Sequence, residues 1–279
     1  MYNLAKLNLN KTIGCAKKSM NRIRPKKSLG QHFLQDGNVI RKIADTIPAG
    51  MDDLIVEIGP GTGMLTKELI NRYRNIRAVE LDGRSVEYLK ENFPGLDVIH
   101  ADILKVSWDE LLAGYEASDV HVVGNLPYFI TSQILFGILS QRNRLKSATL
   151  MMQKEVAQRL VARTSTKEYG ILSVQVQLMS SPEIVFDVSR NSFYPPPNVT
   201  SSVVLLKFDR PDLKCSDKNL KKVVRTAFQQ RRKKLSNSLK PIDPLPGEPE
   251  FDYDKRAEAW EPGIYEKLTA SLEQDGTLS

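Results

Sequence analysis

The sequence predicts an α/β fold, a mostly parallel sheet covered by helices on both faces. Three observations carry this expectation. Short apolar runs alternate with longer amphipathic stretches through residues 54–208. A glycine-rich turn links the first apolar run to the first of these amphipathic stretches, as in an open sheet that binds ligands at its strand ends. The 279 residues suffice for one sizeable core and a smaller second domain.

Taken in chain order, the strand candidates are "LIVEI" (54–58), "IRAVE" (76–80), "LDVIH" (96–100), "VHVVG" (120–124), "ATLMMQ" (148–153), "EIVFDV" (183–188) and "SVVLLKF" (202–208). Helical patterns occupy 63–73, 84–92, 130–141 and 154–163. The stretch "ILSVQVQLMS" (171–180) alternates in part like a strand, but its place between a helix and a strand assigns it to a helix. The proline-rich segments 193–198 and 240–250 read as rigid connections.

Composition narrows the functional classes. With 41% hydrophobic and 26% charged residues, and no apolar run near the roughly 20 residues that a membrane span needs, the chain reads as a globular protein of the cytoplasm, with no membrane partner. Cys15 and Cys215 lie far apart without metal-type spacing, so neither a disulfide framework nor a metal site is expected. The net charge of +7 is local: residues 1–31 hold eight Lys or Arg and no acid, leaving 32 basic against 33 acidic residues elsewhere. A second basic block, 214–240, has ten cations and one acid, Asp217, whereas 241–279 has three cations and ten acids. Clustered cations of this kind are the footprint of phosphate binding, with a solvated helix face as the ordinary alternative. The basic, acid-free first twenty residues also share the look of a transit peptide; residues 1–25 are expected to be a flexible extension.

The first chemical signal is "VEIGPGTGMLTKEL" (56–69), in which a strand meets Gly59, Gly61 and Gly63 before a helix. Glycines there let the backbone approach a ligand. Glu80 follows at the end of the next strand, placed to accept both hydroxyl protons of a ribose, and Asp102 follows the third strand, placed to accept from an adenine amino group. Both NAD and S-adenosylmethionine satisfy these features, although the Gly-x-Gly-x-Gly spacing departs from the pyrophosphate fingerprint.

The fourth strand decides between them. It ends in "GNLPY" (124–128), which places Asn125 at the ligand edge of the sheet. An exocyclic adenine nitrogen is a weak nucleophile because its lone pair is delocalised into the ring. Hydrogen-bond acceptors, the Asn125 amide oxygen and the Leu126 carbonyl, draw the lone pair out of conjugation so that it can attack a sulfonium methyl. Pro127 fixes the backbone that presents them. Tyr128 offers a face for base stacking, worth about 1–3 kcal/mol. Ordinary alternatives are a helix cap for Asn125 and a core aromatic for Tyr128.

Together with "KKSLGQHFLQD" (26–36), "VELD" (79–82), "HADIL" (100–104), "FYPPPNVTSSVV" (193–204) and "FQQRRKKLSNSL" (228–239), these motifs resemble the ribosomal RNA adenine N6-dimethyltransferases, specifically the KsgA/RsmA group, over residues 26 to about 268. The resemblance implies a seven-stranded, Rossmann-like class I methyltransferase domain (26–210) and a small helical RNA-binding domain (211–279). It implies S-adenosylmethionine as cofactor, held by His32, Leu34, Gly59, Gly61, Glu80, Asp102 and Asn125. His32 is expected to act through its backbone, with the ring incidental. Phe193 is expected to close over the target base opposite Tyr128. Arg231, Arg232, Lys233 and Lys234, on a basic helix spanning 225–239 whose Phe228, Leu235 and Leu239 face inward, are expected to grip RNA. The implied activity is dimethylation of two adjacent adenines near the 3′ end of small-subunit ribosomal RNA, in an immature 30S particle, by a monomer. The sister enzymes that modify large-subunit RNA, and a binding-only role in subunit assembly, are the alternatives.

Overall fold

A computed structural model describes residues 23–247 and 249–278. The cationic extension expected over residues 1–25 lies almost wholly outside these residues.

The chain enters through a short strand, β1 (Phe33–Leu34), and a helix, α1 (Gly37–Thr46), whose N-terminus is capped by the Asp36 carboxylate on the N–H groups of Asn38 and Val39. Alternation then begins: β2 (Leu54–Ile58), α2 (Met64–Ile70), β3 (Asn75–Glu80), α3 (Gly83–Asn92), β4 (Asp97–His100), a single turn α4 (Trp108–Leu111), β5 (Val120–Asn125), α5 (Thr131–Leu139), β6 (Ser147–Gln153), α6 (Lys154–Leu160) and α7 (Ile171–Met179). β7 (Ser181–Val188), a two-residue β8 (Phe193–Tyr194) and β9 (Ser201–Lys207) complete the strands. α8 (Asp217–Gln229), α9 (Leu235–Ser238) and α10 (Pro262–Gln274) follow. All seven strand candidates and the four helical patterns appear within a few residues of their expected limits.

Strand order in the main sheet is β4-β3-β2-β5-β6-β9-β7. The first five are parallel, while β9 runs antiparallel to both β6 and β7. From β2 the chain winds outward through β3 and β4, then returns to lay β5 on the other side of β2. The strand order therefore reverses between β2 and β5, and their C-terminal ends open the crevice where ligands of open α/β sheets bind.

The ambiguous stretch 171–180 is indeed helical. Ser173, Val174, Gln175 and Val176 are buried on successive faces because α7 is packed between the sheet and the C-terminal helices α8 and α10. A helix covered all round has no polar stripe to announce its period. The same packing joins the two parts of the chain. One apolar cluster runs without a break from Val56, Val122 and Leu150 in the sheet to Leu220, Val223, Trp260, Tyr265 and Leu268 in the C-terminal helices. A paired ion contact reinforces the junction, with Arg142 Nη1 and Nη2 on the two Asp217 carboxylate oxygens at 2.6 and 2.9 Å.

Candidate active site

The basic segment expected to be one helix over 225–239 is two. α8 ends at Gln229, Gln230 leaves helical geometry, and residues 230–233 form a turn before α9. Leu235 and Leu239 are buried and Phe228 packs against the core, as their spacing suggested, but across a break rather than along one face. Arg231, Arg232 and Lys233 sit on that turn, Lys234 follows it as the N-cap of α9, and the four differ in their commitments. Arg231 donates to the Thr166 carbonyl at 3.0 Å and lies 3.8 Å from Glu258, and Lys234 pairs with Asp254 at 3.0 Å. Arg232 and Lys233 are exposed and have no ion pair among the described residues.

The crevice at the ends of β2 and β5 is a lined cavity. Gly59 and Gly61 lead the turn after β2 with φ of 68° and 56°. A Cβ on Gly59 would meet only the Asn125 carbonyl, at 3.9 Å, so the space beside Asn125 is open to a ligand. Glu80 reaches under this turn: one carboxylate oxygen accepts from Gly61 N–H at 2.9 Å and the other from Asp82 N–H at 2.8 Å. A carboxylate offers about four lone-pair sites, and the Leu81 N–H also serves this one, so room remains for a further donor such as a ribose hydroxyl. Burial raises the Glu80 pKa, and the N–H groups of Asp82, Gly61 and Leu81 hold it back. Asp102 also lines the cavity, one of its oxygens accepting from Leu104 N–H at 3.0 Å.

Asn125 ends β5 in the same cavity. Its Nδ2 donates to the His32 carbonyl at 3.0 Å. A carbonyl only accepts, so this bond fixes the amide orientation and leaves Oδ1 for a ligand. The backbone beyond is pinned: Leu126 N–H donates to the Met151 carbonyl at 2.9 Å, and the Pro127 carbonyl accepts from Ile130 N–H at 3.2 Å and Thr131 Oγ1 at 2.9 Å. The Tyr128 hydroxyl shares a hydrogen bond with Ser201 Oγ at 2.7 Å.

The structure differs from expectation at two aromatic positions. The His32 ring is not incidental: it stacks on Tyr128 with centroids 5.7 Å apart and planes 23° from parallel, and Nδ1 lies 2.7 Å from the Pro195 carbonyl, which makes Nδ1 the protonated nitrogen. Phe193, expected to close over the target base, is not among the residues that line the cavity. In the β1–β8 ladder it faces Leu34, directly opposed residues share a face, and that face points into an apolar cluster with Ile40, Met151 and Val203. Leu34 borders the cavity; Phe193, 4% exposed, anchors the proline-rich turn instead.

Several residues escaped the sequence reading. Leu81 and Ile103, each next to an acceptor acid, give the cavity apolar walls suited to a purine. Their signal was the apolar residue directly after each acid. Gln31 and Lys26 hold the N-terminal segment over the site through Asp82, at 3.0 and 3.3 Å. Asp82 is held well below the ordinary carboxylate range, chiefly by Arg84, with Gln31 and Lys26 assisting. Glu57 is the third acid of the cavity.

This donor set discriminates between the two cofactor classes. Glu57, Glu80 and Asp102 line the cavity, and no Lys or Arg among the described residues does. A pyrophosphate bridge would face acids without a counter-cation. S-adenosylmethionine, whose sulfonium and ammonium outnumber its one carboxylate, fits this lining: when bound, its ribose would find an acceptor in Glu80 and its adenine one in Asp102.

Comparison with known proteins agrees. Residues 22–245 match the family described as ribosomal RNA adenine dimethylase. The chain is 44% identical over 261 residues to ribosomal RNA small subunit methyltransferase A of Porphyromonas gingivalis, covering 91% of this chain and 100% of the relative. It is 44% identical over 255 residues to the protein of that name from Salinibacter ruber, covering 90% and 86%. Among solved structures, a dimethyladenosine transferase from Plasmodium falciparum superposes with a TM-score of 0.75 at 25% identity, covering 88% of this chain and 98% of that one. The 23S rRNA methyltransferase ErmE superposes with a TM-score of 0.61 at 26% identity, covering 87% and 100%. A parallel sheet with its crevice between β2 and β5, an acidic cavity shaped for a cationic nucleoside and a match over most of the chain lead to one conclusion: the protein belongs to the ribosomal RNA adenine dimethylases, which are S-adenosylmethionine-dependent methyltransferases.

Proposed function

We propose that this enzyme transfers four methyl groups to N6 of two adjacent adenosines near the 3′ end of small-subunit (16S) ribosomal RNA, acting as a cytoplasmic monomer on an immature 30S particle. Among the described residues, no helix is long and apolar enough to cross a membrane. The observation that carries the chemistry is the Asn125 amide, whose nitrogen is committed to His32 so that its oxygen is the atom presented to a substrate.

When bound, the cofactor supplies an electrophilic methyl on a positively charged sulfur. The chain's own groups prepare the acceptor. Asn125 Oδ1 and the Leu126 carbonyl take the N6 protons, which pulls the nitrogen lone pair out of the purine plane. Both oxygens are fixed beforehand by the bonds at His32, Met151, Ile130 and Thr131, so little reorganisation accompanies the charge that develops on nitrogen. No strong base is needed, because the amine becomes acidic only after it has been alkylated. The Tyr128 ring, backed by His32 and held by Ser201, supplies the stacking surface. A target adenine must be unstacked to reach this depth, at a cost of about a few kcal/mol, and an adenine already in a loop costs less. The exposed Arg232 and Lys233 supply phosphate contacts away from the pocket.

The small subunit is favoured over the large one because the curated relatives named for the small subunit share 44% identity, against 26% for the large-subunit enzyme ErmE. Mass spectrometry of small-subunit RNA after incubation of immature particles with protein and cofactor tests the reading. Dimethyladenosine is expected, and Asn125→Ala should lower kcat about 10²–10³-fold while RNA binding persists. Unmodified small-subunit RNA with the native protein, or methylation retained in the variant, would overturn it.

A further inference from the structure

Among the described residues only two Phe, Tyr or Trp side chains are exposed, Phe129 at 62% and Tyr194 at 57%. Every other described ring of these types is buried or half-buried, so an aromatic face left in water is the exception in this molecule. Both exceptions stand at the same place. Phe129 directly follows Tyr128 and lines the cavity while most of its ring faces solvent, which puts it at the mouth. The ring lies against Gly30, whose φ is 58°: a Cβ there would come within 3.1 Å of Phe129 Cδ1 and 3.2 Å of Cε1. A bare backbone therefore seats the ring although water reaches it. Tyr194 is held by the same segment. It is directly opposite Phe33 in the β1–β8 ladder, so the two share a face, and Phe33 lines the cavity. Residues 30–34 thus carry one exposed ring at Gly30 and another at Phe33.

Single apolar side chains scattered over a surface need no explanation. Two aromatic ones held by one short segment beside one cavity do. An adenine that enters the cavity leaves its stack, and the bases before and after it each lose a stacking face. Aromatic side chains replace such faces for any base, because every base has a π-face. We propose that Phe129 and Tyr194 form a stacking rim for the two unpaired bases that flank the target adenosine, holding the strand open while N6 is methylated. This inference rests on the methylation of adjacent RNA adenosines proposed above. On that reading, one base on the rim is always the other target. The Phe129 ring has no polar atom with which to read N6, so it takes adenine and dimethyladenine alike, as a site whose second target lies beside its first product requires.

Steady-state methylation of immature small-subunit particles, read by mass spectrometry of the RNA, tests the rim. Phe129→Leu keeps an apolar side chain on Gly30 but offers no aromatic face. It should raise KM for the particles about 5- to 150-fold with kcat within about twofold of native, because a stack formed before the methyl moves favours ground state and transition state equally. Phe129→Tyr should restore the native KM. Tyr194→Ser and Tyr194→Phe repeat the pair at the other ring, and the affinity for S-adenosylmethionine, measured by calorimetry, should be native in all four. The Tyr194 pair, on an exposed side chain outside the core, decides the matter where Phe129→Leu does not fold. A native KM in a folded Phe129→Leu or Tyr194→Ser protein would overturn the rim and leave the methylation reading standing. So would a Phe129→Tyr protein no better than Phe129→Leu, or cofactor affinity lost in step with affinity for the particles. No methylation by the native protein would overturn both.

Discussion

Two glycines of one turn should fail in different ways when changed to alanine. Gly59 and Gly63 have φ of 68° and 73°, so an L-residue at either pays about 1–2 kcal/mol for left-handed backbone. Beyond that cost they part. A Cβ at Gly59 meets nothing nearer than the Asn125 carbonyl at 3.9 Å, and therefore leaves the free protein uncrowded while entering the cofactor space. A Cβ at Gly63 would lie 2.5 Å from Phe93 Cε2 and 2.9 Å from Leu89 Cδ2, so these two side chains must repack, which adds about 1–3 kcal/mol of overpacking. Gly59→Ala should thus lose about 1–2 kcal/mol of unfolding free energy, and Gly63→Ala about 2–5 kcal/mol. Cofactor affinity should follow the reverse order. If overpacking of about 1–3 kcal/mol falls on the complex of Gly59→Ala, Kd rises about 10- to 100-fold, whereas Gly63→Ala should stay within a few-fold of native. Urea unfolding and calorimetric titration measure both quantities on the same samples. Equal loss of affinity in the two variants, or a Gly63→Ala protein as stable as Gly59→Ala, would refute the division of labour along this turn.

Two further outcomes are expected. Substituting Arg232 and Lys233 together by Ala, the two cations of the turn without ion pairs, should lower the slope of log Kd against log salt for immature subunits by about 1.5–2, with cofactor affinity unchanged. His121, 1% exposed and held between Ser147 Oγ at 2.8 Å and Asp53 at 3.2 Å, has its pKa lowered from 6.5 by burial, with Asp53 opposing. A lowered folded pKa contributes stability that is present above pH 6.5 and lost as pH falls through the folded value. Glu57 acts in the opposite sense, its contribution being present below pH 4.5 and lost as pH rises through about 7. His121→Asn should therefore flatten the acid side of a stability-against-pH curve from chemical denaturation, leaving the loss toward neutral pH that Glu57 causes.

The parts of this fold that were legible in the sequence are those where local pattern and tertiary role coincide. The seven strands are apolar because they are buried, and the turn at Gly59 is marked by glycines because its backbone is left-handed. Glu80, Asp102 and Asn125 follow from strand ends alone, since a sheet edge gathers whatever stands there. Elsewhere local pattern misled. Phe228, Leu235 and Leu239 satisfy a helical spacing that the chain does not follow, because burial of Leu235 and Leu239 is achieved by α9 after a break at Gln230. Phe193 is turned inward by a two-residue ladder, Leu34 against Phe193, and the ring found stacked on Tyr128 is that of His32, whose carbonyl makes the expected backbone contact. No spacing rule announces a ladder between segments some 160 residues apart. Glu57 was visible as an acid in "LIVEI", but that its Oε2 has no hydrogen-bond partner among the described residues is a property of the packed interior.

The apolar interior that runs from β2 through α7 to Trp260 and Tyr265 packs the strand ends at the cavity and the C-terminal helices beside the cationic turn at 230–233 into one cluster. On the role proposed for that turn, its separation from Asn125 works as a fixed ruler. An adenosine is then selected by how far it lies from a phosphate grip, and bases on either side need carry no signal of their own. A particle whose RNA has folded past that distance ceases to be a substrate without any change in its nucleotide order.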